Sequence, residues 1–278
     1  MTVLVATDLD RTLVYSRRSA GVDLAGLHAV EHREGVATTW TTRRAAELLT
    51  ALGDAATWVP ATTRTREQFQ RLRLPGAHRW AVCAHGGVLL DDGVPDAAWA
   101  GDVRRRLARV ASLDEVAAGL DRRIAVLPVG IAGPVRRAED LFLVARLDPA
   151  RVPDGWGDEL AAFAADRGWE ALPGERKLHL VPAGLSKVAA VTEVRRRCGP
   201  DDGLLAAGDS RLDTDLLLAA DAAIRPAHGE LHALGWHAPH VAVTRVSGVG
   251  AGEEIAARLL ERVRRGPRRP PCGSGPPS

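Results

Sequence analysis

Four short apolar runs in this chain each stop abruptly at polar residues, and that pattern constrains the fold more than any other feature. Thr2–Ala6 meets Thr7-Asp8-Leu9-Asp10, and Thr57–Ala61 meets Thr62-Thr63-Arg64. Trp80–Ala84 meets His85-Gly86-Gly87, and Gly203–Ala207 meets Gly208-Asp209-Ser210. Apolar runs of this length without helical periodicity read as strands buried on both faces, as in parallel sheets. Helical segments lie between the first three. Residues 43–53 carry Ala46, Leu48, Leu49 and Leu52 on one side with Gly53 as the expected stop, and residues 65–73 read as a short helix. Strands alternating with helices predict an α/β protein with a parallel sheet.

The rhythm breaks near residue 90. Residues 96–111 and 156–168 read as helices, and Ile124–Val129, Leu141–Leu147 and Lys177–Val181 read as strands. Proline and glycine mark the joins. The alternation then returns, with a helix over Ser186–Arg197 that points Val188, Val191 and Val194 inward and a second over Asp213–Ala220. Ala222–Ile224 and His240–Val243 read as short strands, and Glu253–Arg265 as a closing helix with Ile255, Leu259, Leu260 and Val263 on its apolar side. The expected division is a core domain from residues 1–90 and 176–265, an inserted α+β domain at 91–175, and a disordered tail at 266–278, where Pro, Gly and Arg leave nothing to bury.

Composition narrows the partners. The net charge of +2 is too small to point to nucleic acid or a membrane surface. No stretch approaches the roughly 18 apolar residues of a membrane span, and no signal peptide is visible, so a cytoplasmic location is expected. Cys83, Cys198 and Cys272 form neither a disulfide framework nor a zinc pattern. Arginine is everywhere and lysine is rare: Lys177 and Lys187 are the chain's two lysines.

In open parallel sheets, ligands bind just past the carboxyl ends of the strands. Asp8, Asp10, Thr12, Thr62, Asp209 and Asp213 stand there, and Lys187 opens a helix, where anions are favoured. Several carboxylates converging on one point repel each other unless a cation joins them, and such oxygen donors beside a phosphate oxygen suit Mg²⁺. Lys187 and the Thr62 hydroxyl suit the remaining phosphate oxygens. A carboxylate can also serve as a covalent nucleophile for a phosphoryl group. The expected partner is therefore a phosphate ester.

These segments resemble the four motifs of the haloacid dehalogenase (HAD) superfamily, in that family's order. Thr7-Asp8-Leu9-Asp10-Arg11-Thr12-Leu13 resembles motif I, and Thr62 resembles motif II. Lys187 in Gly184-Leu185-Ser186-Lys187 resembles motif III, and Gly208-Asp209-Ser210-Arg211-Leu212-Asp213 resembles motif IV. The resemblance spans residues 1 to about 265. It implies a Rossmannoid core with an inserted type II cap, as in the Cof-like and sucrose-phosphatase-like branches. Those branches usually carry Asn where this chain has His85, and often Asn where it has Leu212.

The resemblance also implies roles. Asp8 would attack phosphorus, and Asp10 would protonate the leaving alcohol and then deprotonate water. Asp8, Asp10 (through its carbonyl), Asp209 and Asp213 would hold Mg²⁺, with Asp213 bound through water or orienting Lys187. Thr62 and Lys187 would hold phosphoryl oxygens, and Thr12 would brace the loop around Asp10. Thr63 could exchange roles with Thr62, and Arg64 reads equally as a substrate contact or a surface residue. His228 and His232 have i, i+4 spacing but no third ligand, and read as structural, with a peripheral substrate contact open for His228. Trp99, Trp156 and Trp169 read as core packing, with sugar stacking in the cap as the alternative. The expected activity is hydrolysis of a sugar phosphate or similar metabolite through an aspartyl-phosphate. Its alternatives are a phosphomutase or a non-catalytic binding module on the same fold.

Overall fold

The computed structural model describes residues 3–174, 176–199 and 203–266. The expected tail lies, from residue 267 onward, outside the described residues. In chain order the first part runs β1 (Leu4–Thr7), β2 (Tyr15–Ser16), β3 (His28–Arg33), β4 (Val36–Thr41), α1 (Arg43–Ala55), β5 (Thr57–Pro60) and α2 (Arg66–Gln70). It continues with β6 (Trp80–Cys83), β7 (Val88–Asp91), β8 (Val94–Pro95), α3 (Ala97–Leu107), α4 (Leu113–Ala125), β9 (Arg136–Ala138), β10 (Phe142–Arg146) and α5 (Trp156–Ala165). The remainder is β11 (Trp169–Pro173), β12 (Lys177–Pro182), α6 (Lys187–Cys198), β13 (Leu204–Ala207), α7 (Thr214–Ala219), β14 (Ala222–Arg225), α8 (Glu230–Ala233), β15 (Val241–Val243) and α9 (Val249–Arg265).

Five strands form a parallel sheet in the order β15-β14-β13-β1-β5. Alternation along β1 sorts the layers. Val3 and Val5 face Leu49, Leu52, Ile255 and Leu259 of α1 and α9, while Leu4 and Ala6 face Val191, Val194, Leu216 and Leu217 of α6 and α7. Apolar residues on both faces are what a central parallel strand requires. The strand expected at 80–84 ends at Cys83 and reaches this sheet through one parallel bridge, Ala61 to Val82. Its main partner is β7, antiparallel, because the turn that follows reverses the chain.

Several expectations change. Helix α1 runs through Gly53 to Ala55. Gly53 is required for a different reason: a Cβ there would stand 2.6 Å from the backbone of Ala77. Ile124–Val129 is not a strand. Ser112 caps α4, Asp114 and Glu115 occupy its first turn, and Val116 and Leu120 are buried at helical spacing, so Ile124 belongs to the helix's last turn and Val126 and Val129 are exposed. The β3–β4 hairpin, paired with β2, was not anticipated. Nor was β11.

A second sheet is antiparallel, in the order β11-β12-β10-β9, with α4 and α5 packed on one face through Val116, Leu120, Leu160 and Phe163. Trp99, Trp156 and Trp169 are buried in the same apolar cluster. Lys177–Pro182, which the expected boundary between residues 175 and 176 assigns to the core, pairs with both β10 and β11 of this second sheet.

Three contacts tie this second sheet to the loops at the carboxyl ends of the parallel strands. The Arg66 backbone N–H donates to the Glu139 carboxylate at 2.6 Å, Arg211 Nη2 donates to the Pro173 carbonyl at 2.7 Å, and Gly87 packs against Leu141.

Candidate active site

Asp8 follows the last residue of β1, and a tight turn holds it. The N–H groups of Thr12, Leu13 and Val14 all donate to the Leu9 carbonyl, with Arg11 in the left-handed region at φ 66°. That turn brings Thr12 Oγ1 back to donate to Asp8 Oδ2 at 3.1 Å. Thr12 therefore braces Asp8, where the resemblance implied bracing around Asp10.

Ser186 caps α6, its hydroxyl accepting from Ala189 N–H, and so fixes Lys187 as the first helical residue. The Lys187 ammonium is 98% buried and donates to Asp8 Oδ1 and to Asp213 Oδ1, both at 2.6 Å. Burial alone would depress its pKa, but the charges of Asp213 and Asp8 outweigh that and raise it. The second Asp213 oxygen accepts from the N–H groups of Asp209 and Ser210 and from the Ser210 hydroxyl, at 3.1, 3.0 and 2.8 Å. Both oxygens of Asp213 are thus engaged, and its visible work is to orient Lys187 and shape the Gly208–Asp213 loop.

Asp8, Asp209 and Asp213 each present a carboxylate oxygen within 4.8 Å of the others, all three side chains buried. Burial pushes the Asp8 carboxyl up to about 7, with Lys187 pulling it down and Asp213 pushing it further up. Burial likewise pushes Asp209 well up, reinforced by the charges of Asp8 and Asp213. Lys187, with the partly exposed Arg11 whose Nε lies 3.7 Å from Asp209 Oδ2, does not balance three buried carboxylates, so the donor set fits a bound cation.

Asp10 points elsewhere. Arg64 grips it from the end of β5, Nε to Oδ2 at 2.7 Å and Nη2 to Oδ1 at 2.8 Å, while Arg64 Nη1 donates to Glu31 Oε2 at 2.9 Å. Burial opposes ionisation of Asp10, but these hydrogen bonds and the Arg64 charge hold its carboxyl below the usual range. Arg64 is therefore not a surface residue, and its guanidinium is committed to two carboxylates. Thr62 is fully buried just past β5, its hydroxyl accepting from the Arg64 N–H at 3.1 Å, and Thr63 beside it is half-buried. His228 bridges Arg11 O and Gly248 N–H, and His232 approaches Arg225, so neither is part of the carboxylate cluster.

Two residues not anticipated belong to this neighbourhood. Glu31, on β3, is buried and accepts from Thr39 and Arg71 as well as Arg64. Only such pairing makes burial of an acid within a strand tolerable. His85 is 8% exposed, sits in the left-handed region at φ 54°, and its Nδ1 is buried without a hydrogen-bond partner. Burial, then the Lys187 charge, pushes its imidazole down to about 3. Left-handed backbone at Ala84 and His85 is strain of the kind found at functional sites.

No protein-family model matches the chain, and no curated protein matches it either. Solved structures do. A sucrose-phosphatase from Synechocystis sp., described in complex with sucrose and phosphate, superposes with a TM-score of 0.62 at 14% identity, over 93% of this chain and 97% of that one. The C-terminal domain of a trehalose-6-phosphate phosphatase from C. albicans gives 0.59 at 12% identity, over 94% and 92%. A phosphatase of the haloalkanoate (HAD) enzyme superfamily from Bacteroides thetaiotaomicron gives 0.54 at 16% identity, over 94% and 96%. With Asp8, Lys187, Asp209 and Asp213 gathered at the carboxyl ends of its parallel strands, this chain has the fold of the HAD phosphatases.

Proposed function

We propose that this protein is a Mg²⁺-dependent phosphatase that hydrolyses a small-molecule phosphomonoester, a sugar phosphate or similar metabolite, through an aspartyl-phosphate on Asp8. The observation that carries this reading is the buried Lys187 ammonium, 2.6 Å from both Asp8 and Asp213, beside Asp209. Proteins of this fold that act on phosphorylated sugars, a sucrose-phosphatase and a trehalose-6-phosphate phosphatase, support it.

Asp8 Oδ attacks phosphorus as the bond to the leaving oxygen breaks, and Asp10, which first takes up a proton from solvent against the pull of Arg64, gives that proton to the leaving oxygen. Asp10 then takes a proton from water, whose oxygen attacks phosphorus and returns the Asp8 carboxylate and inorganic phosphate. Lys187, and Thr62 through its hydroxyl, stabilise the phosphoryl oxygens as charge shifts in the transition state. Thr12 and Lys187 hold the two Asp8 oxygens in place, so the nucleophile is oriented before substrate arrives. Asp8, the Asp10 carbonyl and Asp209 would hold Mg²⁺, with Asp213 behind them. The ion supplies neutralisation of the clustered carboxylates and of the phosphoryl oxygens. The four-stranded sheet with α3, α4 and α5 serves as the cap that excludes water and selects the substrate.

The test is release of inorganic phosphate from a panel of sugar phosphates with Mg²⁺, with Asp8→Asn alongside. Turnover in the wild type, its loss in Asp8→Asn and its loss with a chelator are expected. A wild type inert across the panel, or an Asp8→Asn variant as active as the wild type, would sink the reading.

A further inference from the structure

The two faces of the cap sheet treat their charges differently. On β9, Arg137 lies on the face covered by α4 and pairs there with Asp114. Arg136, its neighbour, projects from the opposite face. Strand register puts Arg136 opposite Val144, Val144 opposite His179, and Arg146 opposite Lys177, so all of these share that second face. Arg136, Arg146 and Lys177 are exposed, and none has a carboxylate partner among the described residues.

Arg146 and Lys177 are also direct cross-strand partners, and like charges placed directly opposite destabilise a sheet. Among the described residues of the four strands, the carboxylate on this face is Glu170. It lies beside Val181 on the edge strand, four residues along β12 from Lys177, or about 13 Å at strand rise. It does not neutralise the pair.

Pro173, opposite Leu178 and so next to Lys177, is held at the Gly208–Asp213 loop by the Arg211 Nη2 hydrogen bond to its carbonyl, which brings this end of the sheet to the catalytic loops. The Lys177 charge accordingly acts on Asp10, and the His179 charge on His85. Burial and the Lys177 charge push the His179 imidazole down to about 4, so at neutral pH it offers one donor and one acceptor and no charge. Because Asp10 is the group assigned to the leaving oxygen, a cation near Asp10 lies on the leaving-group side, beyond the phosphoryl site.

Building on the proposed phosphatase reading, we propose that Arg146 and Lys177, with Arg136 on the same face, form a subsite for a second anionic group, carboxylate or phosphate, carried on the leaving-group part of the substrate. The substrate class is then a doubly anionic, hydroxylated phosphate ester, with His179 bonding a hydroxyl between the two charges. A ligand anion relieves the cross-strand repulsion that the apo sheet carries.

The experiment compares kcat/KM for glucose 6-phosphate, 6-phosphogluconate and glucose 1,6-bisphosphate, in wild type, Arg146→Gln/Lys177→Gln and Arg137→Gln. The wild type is expected to favour the doubly anionic esters, and the double variant to lose about tenfold of that ratio, mainly through KM, equivalent to about 1.4 kcal/mol. Arg137→Gln, on the other face, keeps the wild-type ratio. A preference for 6-phosphogluconate over the bisphosphate identifies a carboxylate as the second group, and the reverse a phosphate. Equal ratios in wild type and double variant, or no wild-type preference, overturn the subsite. If no ester is hydrolysed, the phosphatase reading fails by itself. Calorimetric binding of 6-phosphogluconate to the Asp8→Asn protein then decides the subsite: weakening of about tenfold by the double substitution upholds it, and equal affinity or no binding overturns it.

Discussion

Arg64 and Asp10 are locked together by two parallel hydrogen bonds of 2.7 and 2.8 Å, and the remaining arm of the same guanidinium holds Glu31 of the β3–β4 hairpin at 2.9 Å. The proposed acid/base is thereby anchored to an element that contributes no residue to the carboxylate cluster. A planar fork makes this possible, and an ammonium would not.

Arg64→Lys keeps the charge and loses the fork. Asp10 is then misplaced, and kcat is expected to fall about 10- to 100-fold while KM changes less. Steady-state kinetics on any accepted ester checks this, and an unchanged kcat would detach Arg64 from the chemistry.

Glu31 links the hairpin to stability. Burial opposes its ionisation, but Arg64, Thr39 and Arg71 hold its carboxyl below the usual range. A depressed carboxyl contributes stability above its ordinary pKa of about 4.3, and that contribution is lost as the pH falls. Melting temperatures from pH 7 to pH 3 are expected to show an acid-side decline in the wild type that is shallower in Glu31→Gln. At neutral pH Glu31→Gln is less stable by about 1–3 kcal/mol.

Asp209 has the opposite sign. Asp8 and Asp209 carry raised carboxyl pKa values, so the folded state keeps protons that the unfolded chain releases. Metal-free protein therefore loses stability as pH climbs from about 4 toward 7, and gains it when Mg²⁺ is added at neutral pH. Asp209→Asn removes one of the repelling charges. Its metal-free form is expected to be more stable than wild type at pH 7 by on the order of 1 kcal/mol, with no further gain from Mg²⁺. Thermal scans with and without Mg²⁺ read both effects, and a metal-free Asp209→Asn no more stable than wild type would contradict the repulsion.

Lys187 compensates buried charge as well as serving the proposed chemistry. Lys187→Met leaves Asp8 and Asp213 facing each other without a cation, and is expected to cost about 3–5 kcal/mol along with activity. Denaturant unfolding of the metal-free protein measures it.

Gly86 positions Lys187 from outside the site. It adopts φ +94°, and a Cβ there would run into the Ser186 carbonyl at the start of α6. Gly86→Ala is expected to cost about 1–3 kcal/mol and to lower kcat by shifting that helix start. A normal kcat in a folded Gly86→Ala protein would show that the loop and the helix start move independently.

The cluster residues were legible because their signals are local. Asp8 and Asp209 each end an apolar strand, Lys187 follows a capping serine, and Asp213 completes a short loop. The resemblance to the four HAD motifs rests on the same short segments, and the solved structures bear out its fold. The errors lie where the deciding contacts are distant. Ile124 looks like part of a strand until Ser112, twelve residues back by number, caps its helix. Gly53 looks like a helix stop until Ala77 closes on it. Residues 28–41 carry no motif, so the hairpin and Glu31's place in it were missed.

The sequence by itself determined the α/β class, the segments of the strands that end at the cluster, and the identity of the clustered carboxylates and lysine, because each depends on neighbours a few positions away. Only the tertiary structure decided that Arg64 serves Asp10 and Glu31, that Asp213 spends both oxygens on Lys187 and its own loop, and that Lys177 stands opposite Arg146 on one face of the antiparallel sheet. Those relations depend on strand register and on ion pairs between residues from 26 to 54 positions apart, and they come into being only when packing brings the partners together.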